Sequence, residues 1–409
     1  MKRKHKNWGR TPWRVKFQGK RGALPKHADF VIVGGGFTGL SAAAFVAKIA
    51  RGKSVVVLEA GKLGEGASGR TGGMALAQTA AGDLPGLGDV LKGYRRILHE
   101  LGVKADLDLP GVWEIARGER SMEGKALRPL KNSPMEWSDS GRVRAVGKVA
   151  GGTVDPGKVV SGLAWAALRR GAQIVEQAEV FKMEFADPVR LHVRRKARGR
   201  TAETILTAGA VLLATNAGSL QLAGEFYSAK DSAEPKLTFA LATAPLTQRQ
   251  LVAIGLASGR PFYTVDLPYL WGRRMKNGGM IFGSGLVPAF GQSARETSGA
   301  LNSAAKRVWS GLERFDVRFG EPAERLRGLE RRVRGLHPAL RKMKVTHRWC
   351  GPILITKDFL PVFRQHPNSE NVIVLGGYSG HGVALSVYLG DWAAKVLLGR
   401  RDLPGWGRG

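Results

Sequence analysis

The residues whose types and spacing suggest chemistry most directly are three glycines, Gly34, Gly36 and Gly39, and the carboxylate of Glu59. In the order G-x-G-x-x-G, the first glycine permits a sharp turn, the second lets the backbone approach a pyrophosphate, and the third lets a helix pack closely on a strand. Glu59 follows the last glycine by 20 residues, where a carboxylate can accept hydrogen bonds from ribose hydroxyls. The predicted contacts to a dinucleotide are therefore Gly34, Gly36, Phe37, Thr38, Gly39, Glu59 and Ala60.

The segments around these glycines have the pattern of a βαβ unit. Residues 30–33 and 54–58 are apolar runs typical of buried parallel strands, and residues 40–50 form an alanine-rich helix pattern. Such a helix directs its N–H groups and positive dipole end towards the glycine turn, where a phosphate would lie. The alternative is a turn that only packs a helix on a sheet, but this alternative gives Glu59 no role.

Two further glycine-rich segments lie at residues 61–74 and 376–383. In the first, small residues let main-chain N–H groups approach a phosphate, and Arg70 adds a cation unless it is a solvated surface charge. The second lies between a strand pattern at 371–375 and a helix pattern that extends to residue 398. It therefore directs a second helix N-terminus at a ligand.

Together these segments resemble the FAD-dependent amine and amino-acid oxidoreductases of the D-amino-acid oxidase-like superfamily, in particular the gamma-glutamylputrescine oxidase type. The resemblance lies in the patterns G-A-S-G-R-x-G-G, W-x-G, T-x-D-x-x-P and G-x-S-G-H-G, which begin at Gly66, Trp349, Thr356 and Gly377. It implies noncovalent FAD, with Val180 contacting adenine through its backbone. The further FAD contacts that it implies are Ser68, Arg70, Thr71, Gly72, Gly73, Met74, Ala214, Thr215, Gly351, Gly380, Gly382 and Val383.

His381 is the catalytic candidate. The resemblance implies that the helix after this turn points its positive end at the flavin pyrimidine ring, which favours hydride acceptance. His381 then either contacts the substrate or caps the helix beside the cofactor, and the sequence leaves both interpretations open.

The chain departs from the sarcosine-oxidase-type relatives at two positions. In those relatives a lysine soon after the G-H-G turn binds the substrate carboxylate, whereas Val383 and Ala384 are apolar. This difference argues against sarcosine, or a simple amino acid held in that way. Those relatives also bind flavin through a cysteine, but Cys350 lies one residue out of register, so we expect a buried, inert thiol.

The predicted fold class is α/β (α+β) with two domains. A Rossmann-like FAD-binding domain with a parallel sheet is expected beside a mostly antiparallel β domain that caps the substrate, since 409 residues are too many for one simple core. The predicted segments are a basic N-terminal arm (1–27), the FAD-binding domain in three parts (28–108, 151–221 and 345–402), the substrate domain in two parts (109–150 and 222–344) and a tail (403–409).

Two regions carry more specific predictions. Residues 75–105 are predicted to be mainly helical. In the second domain we predict strands at 237–244, 262–266, 269–273 and 280–284, followed by helices at 295–312 and 321–329. The candidates to line a substrate pocket are Tyr263, Tyr269, Trp271 and Arg273, although no motif distinguishes them from packing or surface residues.

The net charge of +31 comes from 64 basic and 33 acidic residues spread along the chain, which favours a solvated cationic surface over a dedicated site for nucleic acid or anionic membrane. Residues 1–26 concentrate basic side chains around Trp8, Trp13 and Phe17. We favour an arm that packs its tryptophans on a domain over one that binds phosphates and bases. With neither an apolar run of membrane-spanning length nor the apolar core of a signal peptide, the predicted localisation is cytoplasmic, with contacts to anionic surfaces open to the arm.

The predicted activity is oxidation of the C–N bond of an amine or amino acid by hydride transfer to FAD, giving an imine that water hydrolyses. Dioxygen or a redox partner accepts the electrons, and no metal site is predicted. One alternative is a tRNA-modifying flavin oxidoreductase with a basic RNA-binding surface, although the extra domain usual in such enzymes is missing. Another is a non-catalytic protein that binds nucleic acid or lipid, which the intact glycine turns and Glu59 disfavour.

Overall fold

The computed structural model describes residues 7–18, 23–122, 124–197, 200–218, 222, 233–288, 315–367 and 369–407. In chain order the strands are β1 (His27–Val33), β2 (Val55–Glu59), β3 (Met74–Leu76), β4 (Val112–Ala116), β5 (Glu136–Ser138), β6 (Arg142–Val149), β7 (Gly151–Thr153), β8 (Gln173–Glu176), β9 (Ala178–Glu184), β10 (Val189–Ala197), β11 (Arg200–Leu213), β12 (Ala233–Pro245), β13 (Phe262–Thr264), β14 (Leu270–Arg274), β15 (Gly279–Pro288), β16 (Val345–Thr356), β17 (Val362–His366) and β18 (Ser369–Gly376). The α-helices are α1 (Phe37–Ile49), α2 (Val90–Glu100), α3 (Pro156–Arg169), α4 (Gln248–Ala253), α5 (Gly320–Leu336) and α6 (Gly382–Leu397).

The first sheet has the strand order β17-β18-β11-β1-β2-β8, with β10 and β9 added beside β11. The five strands from β18 to β8 are parallel, and β17 is an antiparallel edge strand. Ile32 and Val57 pack against the helices α1, α2, α3 and α6, whereas Val31 and Val56 pack on the opposite face with residues of β9 and β10. Burial of both faces explains why these strands are continuous apolar runs.

The second sheet has the order β16-β12-β15-β14-β13-β4-β6-β5, and only the β13–β4 pair is parallel among its described neighbours. On one face Phe262, Phe282 and Trp137 pack with Leu326 and Val333 of α5. The opposite face is the one that looks towards the first sheet. The two sheets confirm the predicted two-domain α/β class.

Several elements differ from the sequence predictions. The prediction that residues 75–105 are mainly helical is wrong for residues 75–89, because β3 occupies their start and Gly82, Gly86 and Gly88 adopt positive φ values before Asp89 caps α2. Strands β5, β6, β7, β10 and β17 were also not predicted from the sequence. β16 joins the second sheet, although the sequence grouped residues 345–402 with the FAD-binding domain. The helix predicted at 295–312 lies outside the described residues.

Within the part of the chain that the structure describes, no helix combines the length and the apolar character that crossing a bilayer requires.

A buried ionic network joins α5 to the second sheet. Arg117, which follows β4, donates to Asp139 (2.5 Å) and to Asp266 (2.6 Å), and Arg332 of α5 donates to Asp139 (2.7 Å). Burial opposes ionisation of Asp139, but the hydrogen bonds from Arg332 and Arg117 outweigh it and lower the pKa of this carboxyl group. Glu330 of α5 also pairs with Arg348 of β16, so ion pairs hold the helix at both edges of the second sheet.

Asp139→Asn is expected to lower the free energy of unfolding by about 3 kcal/mol at neutral pH. The substitution removes the anion that the buried guanidinium groups of Arg117 and Arg332 share. The pKa of Asp139 is lower in the folded than in the unfolded protein, so its contribution is complete above the unfolded pKa of about 4 and is lost as pH falls below that value. The stability difference between wild type and variant should therefore shrink at low pH.

The measurement is urea unfolding of both proteins between about pH 7 and pH 3. Glu136→Gln is the control, because the ion pair of Glu136 with Arg142 is exposed (side chains 59% and 62%) and its loss should cost at most about 1 kcal/mol. A stability difference that stays constant down to the lowest pH would contradict the assigned role of Asp139.

Candidate active site

A cleft of about 1440 Å³ lies between the carboxyl ends of the parallel strands and the second sheet. Small-molecule sites usually have volumes of about 300–1000 Å³, so this cleft has room for a dinucleotide and a further ligand. The sequence-predicted residues that line it are Gly34, Gly36, Phe37, Thr38, Glu59, Ala60, Ser68, Arg70, Thr71, Gly72, Met74, Val180, Ala214, Thr215, Tyr263, Tyr269, Trp271, Gly351, Gly380, His381, Gly382 and Val383. Gly39, Gly73 and Arg273 lie outside the lining.

The glycine turn between β1 and α1 has no space for larger residues. A Cβ atom on Gly34, which has φ +114°, would lie 2.6 Å from the carbonyl oxygen of Ala214. A Cβ atom on Gly39 would lie 2.0 Å from the carbonyl oxygen of Gly34, so Gly39 serves the close packing of α1 rather than a ligand contact. Gly36, the N-cap residue of α1, has no side chain to cap the helix, and the Ser68 hydroxyl accepts a hydrogen bond from the Phe37 N–H (2.9 Å). No acidic residue lies in the first turn, so this helix end stays positive.

Glu59 organises the start of the turn as well as facing the cleft. Its Oε2 accepts a hydrogen bond from the Gly35 N–H (2.8 Å), and its Oε1 accepts one from the Gly61 N–H (2.8 Å). Burial raises the pKa of Glu59, although these two hydrogen bonds act in the opposite direction. Each carboxylate oxygen keeps a second lone pair, so the group can still accept a hydroxyl from a ligand.

The segment 61–74, which we call the glycine loop, is held by its carbonyl groups. Trp13 Nε1 donates to the carbonyl of Gly69 (2.8 Å), Trp349 Nε1 donates to that of Arg70 (2.9 Å), and Arg273 Nε donates to that of Gly72. None of these three donors lines the cleft. The carbonyls therefore point out of the cleft, and the donors fix the loop from behind.

The Arg70 guanidinium also points to the N-terminal arm. It donates to the carbonyl of Glu65 (2.9 Å) and to that of Gly9 (3.3 Å), and it lies over the ring of Trp8. Burial lowers its pKa. Arg70 is thus a brace between the arm and the glycine loop that also places positive charge beside the cleft.

The tryptophan side chains of the arm are packed against the domains and are not exposed to solvent. Trp8 stacks on Phe315 with a centroid separation of 4.5 Å, and Trp13 meets Trp349 edge-on at 5.6 Å. Both Trp8 and Trp13 are buried, at 7% and 8% exposure. A buried ring offers no face for stacking on a nucleic-acid base.

The N-terminus of α6 supplies the second helix end at the cleft. His381 is its N-cap residue and makes no side-chain capping bond; its Nδ1 lies 3.4 Å from the Ser379 carbonyl oxygen. Burial lowers the pKa of His381, so the ring is neutral near pH 7. The positive potential at this end of the cleft therefore comes from the N–H groups of α6, not from the histidine.

Two hydrogen bonds join the separate turns of the first sheet. The Thr38 and Tyr378 hydroxyls lie 2.6 Å apart, which links α1 to the turn before α6. Asn216 Oδ1 accepts from the Gly377 N–H (2.9 Å) and links that turn to the end of β11. Asn216 was not among the sequence-predicted site residues, although asparagine tolerates the left-handed backbone that it adopts here (φ 48°).

The wall formed by the second sheet carries a cross-strand row of side chains. Trp271 pairs in register with Tyr263, and Tyr263 pairs with Glu114 of β4. Tyr263 donates its hydroxyl to Glu114 Oε1 (2.8 Å). Glu114 was missed because its position on the cleft face depends on the register of β4, which no local pattern reveals.

The other predicted pocket residues have different surroundings. Tyr269 lines the cleft, and burial raises its pKa to about 12, so it is neutral at physiological pH. Arg273 is buried behind the glycine loop against Trp13, and burial lowers its pKa to about 10. Cys350 is fully buried outside the cleft lining, and burial raises the pKa of its thiol, which agrees with the inert thiol expected from the sequence.

The ring of Trp271 is confined between two glycines. A Cβ atom on Gly72 would lie 2.1 Å from Trp271 Cζ3, and one on Gly283 would lie 2.1 Å from Cε2.

Gly72→Ala is expected to lower the free energy of unfolding by about 2 kcal/mol, because the ring of Trp271 has no space to move away. Urea unfolding of Gly72→Ala, Trp271→Leu and the double variant tests this. If the added methyl group clashes with the ring, the double variant should lose less unfolding free energy than the two single variants lose in sum. Losses that simply add would contradict the clash.

A family model described as FAD dependent oxidoreductase matches residues 29–396. The chain belongs to this family. The family predicted from the glycine-rich segments is thereby confirmed, as are the oxidoreductase class and FAD as the cofactor.

Individual relatives are distant but align along most of the chain. Gamma-glutamylputrescine oxidoreductase of Escherichia coli is 25% identical, covering 91% of this chain and 84% of that protein. Glycine oxidase of Bacillus licheniformis is 22% identical, covering 94% and 96%. The crystal structure of glycine oxidase from Bacillus cereus superposes with a TM-score of 0.65 at 20% identity, covering 92% of this chain and 98% of that one, which supports the same fold.

The geometry fits FAD. The cradle at Gly34 and Gly39 excludes any Cβ atom, Glu59 retains lone pairs at the end of β2, and the ends of α1 and α6 face the same cleft. Such a cradle, carboxylate and pair of helix N-termini match the pyrophosphate, ribose and electron-rich ring of a flavin dinucleotide.

Proposed function

We propose that this protein oxidises the C–N bond of an amine or amino acid, using FAD held noncovalently in the cleft. The observation that carries the proposal is the convergence of two helix N-termini, those of α1 and α6, on one cleft that the second sheet covers, with no acidic residue in the first turn of either helix. When bound, FAD supplies the hydride acceptor that converts the C–N bond to an imine, which water then hydrolyses.

The chain contributes orientation and electrostatics. The proposed dinucleotide contacts are the glycine turn, Glu59 and the glycine loop, with the backbone at Val180 and Ala214 completing the cradle. The N–H groups of α6 stabilise negative charge at its end of the cleft. Trp271, Tyr263 and Tyr269 form a wall that excludes water and orients the substrate.

His381 is proposed to contact the substrate or the cofactor as a neutral hydrogen-bonding group. Its lowered pKa excludes a role as a permanent cation at pH 7. The amine nitrogen must be neutral when hydride leaves the adjacent carbon, and a neutral ring beside it does not oppose that state.

We propose that dioxygen or a redox partner accepts the electrons. The exposed Arg14 and Lys16 of the arm are available for contacts with an anionic surface, which fits a cytoplasmic enzyme that associates peripherally with membranes. Oxygen uptake during turnover distinguishes the two acceptors, and sedimentation with anionic vesicles tests the surface contact.

The test of the function is an absorption spectrum of the purified protein before and after acid precipitation, followed by anaerobic addition of a panel of amines and amino acids. We expect flavin absorbance that acid releases into the supernatant and that one class of amine bleaches. Flavin that stays with the pellet would contradict noncovalent binding. A protein that no member of the panel bleaches would contradict the proposed activity.

A further inference from the structure

Glu114 is an acidic group in an otherwise neutral wall. Among the described residues of the second sheet that line the cleft, it is the only charged one, and the others include Thr238, Ala240, Tyr263 and Trp271. The carboxylate is half-buried and has one hydrogen bond, from the Tyr263 hydroxyl, with no ion pair to any described residue. Gly147 leaves room for it, since a Cβ atom there would lie 2.5 Å from Glu114 Oε2.

A partly buried carboxylate without a cation is a costly feature unless a ligand supplies the positive charge. One hydroxyl satisfies only one of its acceptor sites, so Glu114 can still accept from an ammonium or guanidinium group. A ligand carboxylate at the same place would be repelled.

The wall also lacks the group that would hold an amino acid. A carboxylate substrate needs a cation, but the described basic residues that line the cleft, Arg70 and Lys125, lie outside the strands of the second sheet. Arg273, the basic residue of β14 nearest the row, donates instead to the carbonyl of Gly72 behind the glycine loop. At the turn before α6, Val383 and Ala384 are apolar.

We propose that Glu114, oriented by Tyr263, binds a second, positively charged nitrogen of the substrate. The substrate class is then an alkyl amine that carries an ammonium or guanidinium group at its far end, as a diamine does. This inference rests on the proposed oxidation of a C–N bond in the same cleft. The amine nitrogen next to the carbon that gives up hydride is neutral, while the distal nitrogen stays protonated and pairs with Glu114.

The experiment compares 1,4-diaminobutane, butylamine and 4-aminobutyrate as reductants of the flavin in the wild-type protein, by stopped-flow spectroscopy without oxygen. These probes share a four-carbon chain and differ in the charge at the far end. A hydrogen bond between charged partners contributes about 1.5–3 kcal/mol, so kcat/KM for the diamine should exceed that for butylamine by roughly 10- to 150-fold. The acid should be the poorest of the three.

Glu114→Gln retains the shape and the bond from Tyr263 but removes the charge, so it should reduce the ratio of kcat/KM between diamine and butylamine to about threefold or less. Glu119→Gln is the control, because Glu119 is exposed and outside the cleft lining, and it should keep the wild-type ratio. The wild-type panel decides the matter even if Glu114→Gln fails to fold.

Two results would overturn the inference while leaving the proposed function intact: a wild-type protein that prefers butylamine or 4-aminobutyrate, or a preference for the diamine that persists in Glu114→Gln. A wild-type flavin that no amine or amino acid reduces would instead contradict the proposed function itself.

Discussion

Gly39→Ala is expected to yield a protein that is purified without FAD and whose free energy of unfolding is lower by about 3 kcal/mol. The added methyl group would lie 2.0 Å from the carbonyl oxygen of Gly34 and 3.0 Å from Ile32 Cγ2. Both neighbours belong to the buried strand β1 and its turn, so α1 must move away from the sheet. That movement withdraws the helix N-terminus and opens the pyrophosphate cradle, which is why stability and cofactor should be lost together.

The measurements are the ratio of flavin to protein after purification and the urea unfolding curve. Gly328→Ala is a matched control, because Gly328 lies within α5, has an ordinary φ value and has no atom within 4 Å of the added Cβ. Alanine in a helix interior should raise stability by about 0.5–1 kcal/mol and leave FAD in place. A Gly39→Ala protein that retained a full complement of FAD would contradict the packing role assigned to this glycine.

The parts of the fold that the sequence predicted are those with local causes. The strand, glycine turn and helix around Gly34 and Gly39 lie within 23 residues, from His27 to Ile49, so their apolar pattern and backbone requirements appear directly in the sequence. The same holds for the turn before α6. Local patterns also explain the error at residues 75–89, where an amphipathic signal that belongs to α2 was extended across glycines with positive φ.

The features that the sequence did not reveal depend on long-range register. Glu114 faces the cleft because β4 pairs with β13, whose residues lie about 150 positions later in the chain. Arg273 was a candidate for the substrate pocket, yet the structure directs it to the carbonyl of Gly72, 201 residues away. The local sequence around a polar residue in a strand does not indicate which distant residue its side chain will contact.

These long-range bonds show that neither sheet builds the site alone. The glycine loop leaves the first sheet, but its carbonyls are held by Trp349 and Arg273 of the second sheet and by Trp13 of the arm. The glycine loop, which we propose to contact the cofactor, is thus positioned by elements that lie outside the first sheet. Cofactor binding and the docking of the two domains should therefore depend on each other.

Trp13→Ala is expected to weaken FAD binding at least tenfold and to lower stability by about 3–5 kcal/mol, the range for deleting a buried aromatic side chain. Trp13 fills the space between Trp349 and Arg273 and donates to the carbonyl of Gly69. Trp13→Phe separates these contributions, because it retains an aromatic ring and removes only the donor. It should cost about 1–2 kcal/mol of stability and still weaken FAD binding, since the glycine loop loses one of the side-chain donors that hold its carbonyl groups.

The measurement is the dissociation constant for FAD, from quenching of flavin fluorescence on titration of the apoprotein. Trp165→Phe is the control: its Nε1 donates to the Lys16 carbonyl (3.3 Å), so this change loosens the arm without touching the glycine loop. Trp13→Phe should bind FAD more weakly than Trp165→Phe does. If the two variants bind FAD equally well, the arm merely stabilises the fold. If only Trp13→Phe binds FAD more weakly than wild type, the arm contributes to cofactor binding through the hydrogen bond to Gly69.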